Sequence, residues 1–237
     1  MKKLASIMQA ILSYVALFLG WLLAHYIFRF RNKIEIIGRE NLLHTTGILY
    51  LASHETLVDS FLIGIAVLTW REILFFPRRI PWNAPDGNNF FKHPIGRHIF
   101  ALLKNIPVTR QTRNRGVMQK QIERFRQAVT KSNLLLFFEG TRTRNGKIGE
   151  CKTGVVKTIL SAQPKYIVPI LLSNVQPLMP IDVGFNFLRI KRGVRGKIVI
   201  GQPVDFSDLY THSHNGITRK LVGNRVREAV VSLQTRL

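Results

Sequence analysis

His54 and Asp59 are the residues of this chain whose types and spacing most directly suggest proton chemistry. They stand five positions apart in Ser53-His54-Glu55-Thr56-Leu57-Val58-Asp59. On one continuous helix, at about 100° per residue, the two side chains would diverge by about 140° around the axis. His54 must therefore precede the helix, in the turn that leaves a strand, with Asp59 projecting from the helix opening. In that arrangement the carboxylate holds one imidazole nitrogen and leaves the other to take a proton. Asp59 also lies between Val58 and Phe61 in an apolar stretch, where an unpaired carboxylate is costly. Taken alone, the segment reads equally well as a helix-capping histidine and an aspartate satisfied by backbone amides. Neither Ser53 nor Ser60 carries a nucleophile-elbow signature. A base without its own serine points to activation of a substrate hydroxyl, which attacks an acyl carbonyl directly.

A second group of chemistry-bearing residues is Phe137-Phe138-Glu139-Gly140-Thr141-Arg142, at the end of an apolar run typical of a buried strand. Gly140 permits a sharp turn and close approach to a ligand, Thr141 supplies a hydroxyl, and Arg142 can grip a phosphate with two parallel hydrogen bonds. Glu139 orients Arg142 or another basic group, or accepts from an acceptor alcohol. An ordinary charged turn after a strand has the same composition. Cys151 is the single cysteine, which excludes an internal disulfide and a cysteine-rich zinc site. With no base beside it in sequence, it reads as a small packing residue rather than a nucleophile. His93, His98, His212 and His214 follow no metal-site pattern, so no metal is expected.

Together, His54-x4-Asp59 and Phe138-Glu139-Gly140-Thr141-Arg142 resemble, in order and separation, the first and third signature motifs of the 1-acylglycerol-3-phosphate acyltransferase family. Ile106-Pro107-Val108-Thr109-Arg110 is similar to its second motif and Ile167-Val168-Pro169-Ile170 to its fourth, so the resemblance spans residues 34–205. It implies that His54 is the base and Asp59 its orienter, and that Arg110 and Arg142 bind the glycerol phosphate. It also implies that Glu139, Gly140 and Thr141 shape the acceptor site, and that Pro169 forms part of a pocket wall. The implied donor is an acyl thioester, acyl-coenzyme A or acyl-acyl carrier protein, with no cofactor, and the acceptor is lysophosphatidate. The chain departs from the family at Phe138, where proline is frequent, at residues 149–154, and in a second motif without the usual glycine and aromatic residues.

These turns need a scaffold that delivers them to one place. Beyond residue 33, short β-rich runs alternate with helical stretches, without repeats, which is α/β logic. Strands are predicted at 34–37, 48–52, 72–76, 133–138, 166–172 and 197–200, with a short extended piece at 106–109. Helices are predicted at 57–68, 99–104, 114–130, 152–162 and 219–234, with a surface loop at 82–89 and irregular chain at 202–207. The expected fold is a glycerolipid-acyltransferase-like domain: a central mixed sheet flanked by helices.

Residues 4–28 hold no formal charge, and a helix of 25 residues at about 1.5 Å each could cross a hydrocarbon core of about 30 Å. Lys2 and Lys3 precede this run, Arg29, Arg31 and Lys33 follow it, and Trp21 and Tyr26 suit an interface. A single span, a helix lying in one leaflet and a helical hairpin all satisfy this pattern. No small-residue cleavage site follows the run, which favours a retained anchor over a signal peptide. The expected division is an anchoring segment at 1–33 and an acyltransferase domain at 34–237.

Lys and Arg number 35 against 13 Asp and Glu, a formal charge of +22, so partners should be anionic. Anionic membrane lipids, an acidic carrier protein and a phosphorylated substrate all fit, and so does nucleic acid. Arg110, Arg113, Arg115, Lys120, Arg124 and Arg126, opposed by Glu123 alone, and the basic stretch 189–197 are candidate contacts, or simply solvated faces. With no zinc finger or RNA-binding aromatic motif, no nucleic-acid partner is expected. The rival readings are acylation of another lysolipid, either a lysophospholipid or a lyso-aminolipid, and, further off, a membrane-tethered nucleic-acid-binding protein. The expected location is a membrane, with the catalytic domain on its cytoplasmic, reducing face, that of the bacterial inner membrane.

Overall fold

The structure, a computed structural model, describes residues 2–87, 97–98, 100, 102–109, 112, 114–143, 146–180 and 189–237, with side chains from residue 8 onward. The chain opens with α1 (Lys2–His25), which runs on through a π-turn at Tyr26–Phe30. No proline interrupts this run and no formal charge falls between Lys3 and Arg29, and among the described residues it is one continuous helical segment rather than a hairpin. Strand β1 (Lys33–Ile37), β2 (Ile48–Ala52), α2 (Asp59–Val67), α3 (Trp70–Phe75) and β3 (Pro81–Asn83) follow. The second half holds α4 (Arg115–Lys131), β4 (Asn133–Phe137), α5 (Thr153–Ala162), β5 (Tyr166–Ser173), β6 (Arg195–Ile200), α6 (Ser207–Tyr210) and α7 (Gly216–Val231).

The strands form one six-stranded sheet in the order β1-β6-β5-β2-β4-β3. Every neighbouring pair is parallel except β5 with β6, so the sheet is mixed, as expected. β2 is buried along its whole length between β4 and β5, which explains its unbroken apolar run Ile48-Leu49-Tyr50-Leu51-Ala52. Strand periodicity splits its side chains between two cores. Ile48, Tyr50 and Ala52 face the layer of α1, α2 and α3, while Leu49 and Leu51 face that of α4, α5 and α7.

Two expectations fail. Of residues 72–76, predicted as a strand, 72–75 belong to α3 and Phe76 ends it, because Thr69 and Glu72 form a capping box: Glu72 N–H donates to Thr69 Oγ1, and Glu72 Oε2 accepts from Thr69 N–H. The apolar residues Ile73, Leu74, Phe75 and Phe76 carry β propensity, but the cap starts a helix ahead of them. The segment from residue 82, predicted as a surface loop, begins inside β3, and its described remainder at 84–87 is half-buried. It is covered because Asn83 and Asp86 bridge to Asn105 and Val108, aligning it with the extended piece at 105–108. The predicted helix at 99–104 lies partly outside the described residues; Phe100 and Leu102 are helical.

Candidate active site

The parallel register of β2 and β4 brings the two motifs together. Ala52 pairs with Phe137, so the chain leaving β2 at His54 runs beside the chain leaving β4 at Glu139. Both turns emerge at the carboxyl ends of adjacent parallel strands, the edge where open α/β sheets characteristically place ligands.

His54 is buried and held from four directions. Its Nδ1 lies 2.8 Å from Asp59 Oδ2, and its ring stacks on Phe137 with centroids 4.0 Å apart and planes 15° from parallel. Its backbone N–H donates to Glu139 Oε1 at 3.3 Å, and its carbonyl accepts from Thr143 N–H at 2.8 Å. With Nδ1 engaged by Asp59, Nε2 is the nitrogen left for proton exchange. Asp59 is the first residue of α2 and fully buried. Besides the imidazole, its Oδ2 accepts from Glu55 N–H at 2.6 Å and Thr56 N–H at 2.8 Å, while Oδ1 accepts from Thr56 Oγ1 at 2.7 Å. The expected alternatives for Asp59 therefore coexist: backbone amides satisfy the same carboxylate that holds the histidine.

Two serines lie near the pair: Ser60 lines the cavity beside His54 without a hydrogen bond to it among the described residues, and Ser53 is held elsewhere. Ser53 Oγ accepts from Leu172 N–H at 2.9 Å, which ties its hydroxyl to β5. Burial pushes the Cys151 thiol up to about 12, so it stays protonated and serves packing.

The turn after β4 is built around Gly140, whose φ of +65° belongs to the left-handed region. A Cβ there would meet Lys152 Cγ at 2.9 Å, so glycine is needed for both backbone and space. Glu139 is a buried strut, with Oε2 accepting from Gly149 N–H at 2.8 Å and Oε1 from His54 N–H. Its carboxyl is raised above the ordinary range by burial, against which those two hydrogen bonds work. Thr141 is exposed and Arg142 half-buried on the same turn. Arg110 lies outside the described residues, although the segment 105–109 that leads to it does not. Pro169 is buried within β5 opposite Leu51, on the sheet face away from His54, and its ring packs under Gly201. It does not line the cavity beside His54.

That cavity was not foreseen. His54 lies at its wall with Phe137, Leu57 and Phe61, and α1 supplies Leu17, Gly20, Trp21 and Ala24. Gly64, Ile65 and Leu68 of the α2 region, Ile73 of α3, and Asn83, Ala84, Pro85 and Asn105 complete most of the lining. The walls are overwhelmingly apolar. A Cβ added at Gly20 or Gly64 would meet no atom within 4 Å, so both glycines keep space open.

Glu55, which the sequence motifs did not single out, holds the turn that carries His54. Its Oε2 accepts from Val175 N–H at 2.9 Å and Gln176 N–H at 3.0 Å, clamping the His54 turn to the chain beyond β5. Burial, with Asp59 and Glu139 nearby, outweighs those hydrogen bonds and raises its carboxyl to about 7. An acid next to His54 with no basic residue nearby in sequence was the signal available.

A family model described as Acyltransferase matches residues 33–173, which include both turns. Among solved structures the chain is similar to the crystal structure of the 1-acyl-sn-glycerophosphate (LPA) acyltransferase, PlsC, from Thermotoga maritima. The TM-score is 0.60 at 17% sequence identity, covering 100% of this chain and 99% of that one, a likeness of fold. No protein of curated function matches in sequence.

Proposed function

This chain belongs to the acyltransferase family, and on that footing we propose that it acylates the sn-2 hydroxyl of 1-acylglycerol-3-phosphate from an acyl thioester, forming phosphatidic acid. The observation that carries the reading is the His54–Asp59 pair at the wall of an apolar cavity and beside the Gly140 turn. The fold-related Thermotoga protein, described as an LPA acyltransferase, supports the choice of acceptor.

In the proposed reaction the acyl chain lies in the apolar cavity, and the acceptor phosphate meets Arg142, with Thr141 on the same turn. His54 Nε2 removes the proton as the sn-2 oxygen attacks the thioester carbonyl, and Asp59 stabilises the developing imidazolium. Collapse of the tetrahedral intermediate breaks the carbon–sulfur bond, and the departing thiolate takes the proton back from His54. No acyl-enzyme forms. Glu139 acts through the His54 backbone rather than on substrate.

Residues 1–33 act as the anchor and 34–237 as the catalytic domain, with the anchor lending one wall to the cavity. We place α1 within one leaflet rather than across the bilayer. From Gln9 to Phe28 one side of the helix lies along the domain, where Arg78, Lys104, Arg124 and Lys131 share a groove with Gln9, Ser13 and Tyr14. A spanning α1 would carry those cations to hydrocarbon depth, at several kcal/mol each. The single cysteine, Cys151, favours the reducing, cytoplasmic side for the catalytic domain.

An acceptor panel tests the acceptor. Lysophosphatidate should be turned over faster than a lysophospholipid with a larger headgroup and faster than a lyso-aminolipid. Preference for the aminolipid would overturn the phosphate assignment.

A further inference from the structure

α3 and the turn after it present a second apolar face, separate from α1. Trp70, Leu74, Phe75 and Phe76 are 48%, 44%, 65% and 45% exposed, four large apolar side chains within seven residues. Isolated exposed apolar residues are ordinary, but a cluster of aromatics on one short element marks an interaction surface. Arginines accompany them: Arg71 lies over the Trp70 ring at 5.3 Å, Arg79 over the Phe76 ring at 4.1 Å, and Arg78 is exposed. The acid of this stretch, Glu72, is turned inward and buried, occupied by Thr69, His44 and Arg79. The outward face is therefore aromatic and cationic, without an exposed carboxylate.

We propose that the Trp70–Phe75 helix and the Phe76–Arg79 turn dock against an anionic lipid leaflet, as a second membrane contact beside α1. Two observations choose a bilayer over a protein. The chain carries a formal +22, and this patch is purely basic, which complements anionic headgroups. The patch also neighbours a second apolar surface, since α3 packs against α1 and α1 exposes Leu12, Val15, Leu19, Leu22 and Leu23. Aromatic rings with arginines are the composition that settles at the headgroup boundary. The inference rests on the reading that α1 lies in lipid.

The test uses the full-length chain. With Cys151→Ser removing the native thiol, single cysteines at Phe75→Cys, Leu74→Cys, Leu19→Cys and Ile217→Cys are labelled with an environment-sensitive dye. The protein is then bound to vesicles containing brominated acyl chains, with or without phosphatidylglycerol. Ile217, on α7, lies across the sheet from α3 and is 72% exposed. Dyes at 75 and 74 should lose about half their emission on the anionic vesicles, while the dye at 217 keeps its own. Quenching at 19 with none at 74 or 75 overturns this inference and leaves the α1 reading standing; no quenching at 19 overturns that reading too. Equal quenching on purely zwitterionic vesicles removes the anionic leaflet and overturns the proposal. So does a shift at 75 that follows protein concentration instead of lipid, which would mark a second copy as the occupant.

Discussion

An asparagine at position 59 keeps the volume of the aspartate but exchanges one acceptor oxygen for a donor. Four groups now donate to that carboxylate: His54 Nδ1, the amides of Glu55 and Thr56, and Thr56 Oγ1. At least one would lose its acceptor in a site that excludes water, at about 1–3 kcal/mol. Asp59→Asn should therefore lower both the unfolding midpoint and kcat, and a variant with wild-type turnover would detach Asp59 from the proton transfer. Glu55 makes a different prediction, in pH. Its carboxyl is raised from 4.5 to about 7, so the folded state binds this proton more tightly than the unfolded chain. The stability it contributes is complete below pH 4.5 and lost as pH rises through about 7. Glutamine does not titrate, so Glu55→Gln should gain on wild type between pH 5 and pH 8 by on the order of 1–3 kcal/mol. A melting-temperature difference that stays constant across that interval would contradict the raised carboxyl. At this scale, the helix-opening place of Asp59 was legible, because five residues cannot put two side chains on one helical face. The roles of Glu139 as a strut for the His54 backbone and of Glu55 as a clamp were not, since both depend on which chain segments stand beside the turn.

The elements around the cavity explain why its size was invisible in sequence. Gly20 belongs to α1 and Gly64 to α2, 44 positions apart, and both line the same cavity. Neither glycine is needed for backbone conformation, since each lies inside a helix, where alanine would be favoured by about 0.8–1 kcal/mol. Their value is the space they leave. Gly64→Leu should fold at least as well and shorten the cavity. With each methylene worth about 0.8 kcal/mol, kcat/KM should fall about 10- to 100-fold for long-chain donors and little for short ones. An unchanged profile across a donor chain-length series would place the acyl chain elsewhere. Most strands were legible because buried parallel strands are continuous apolar runs. The capping box of α3 was also written in the sequence, as Thr69 followed three residues later by Glu72, but the apolar run behind it reads as strand. Pro169 was assigned to a pocket wall from motif resemblance, and the two-residue period of β5 turns it to the other face.

At the scale of the whole molecule, the mixed sheet brings its motif turns to one edge while α1 and α3 gather on one face. The cavity beside His54 thus lies near the surface proposed to meet lipid, which suits the proposed reaction, whose acceptor and product would both reside in a leaflet. The +22 charge was legible at once, but it distinguishes neither lipid nor carrier protein nor nucleic acid until the positions of the cations are known. The central claim is that His54 activates the acceptor's own hydroxyl. The most direct measurement incubates purified wild-type and His54→Ala proteins with lysophosphatidate and either acyl-coenzyme A or acyl-acyl carrier protein, and follows the product by mass. Wild type should yield phosphatidic acid heavier than the acceptor by one acyl group, and folded His54→Ala should form it about 10²- to 10⁴-fold more slowly. A folded His54→Ala protein that forms it at the wild-type rate would contradict the account.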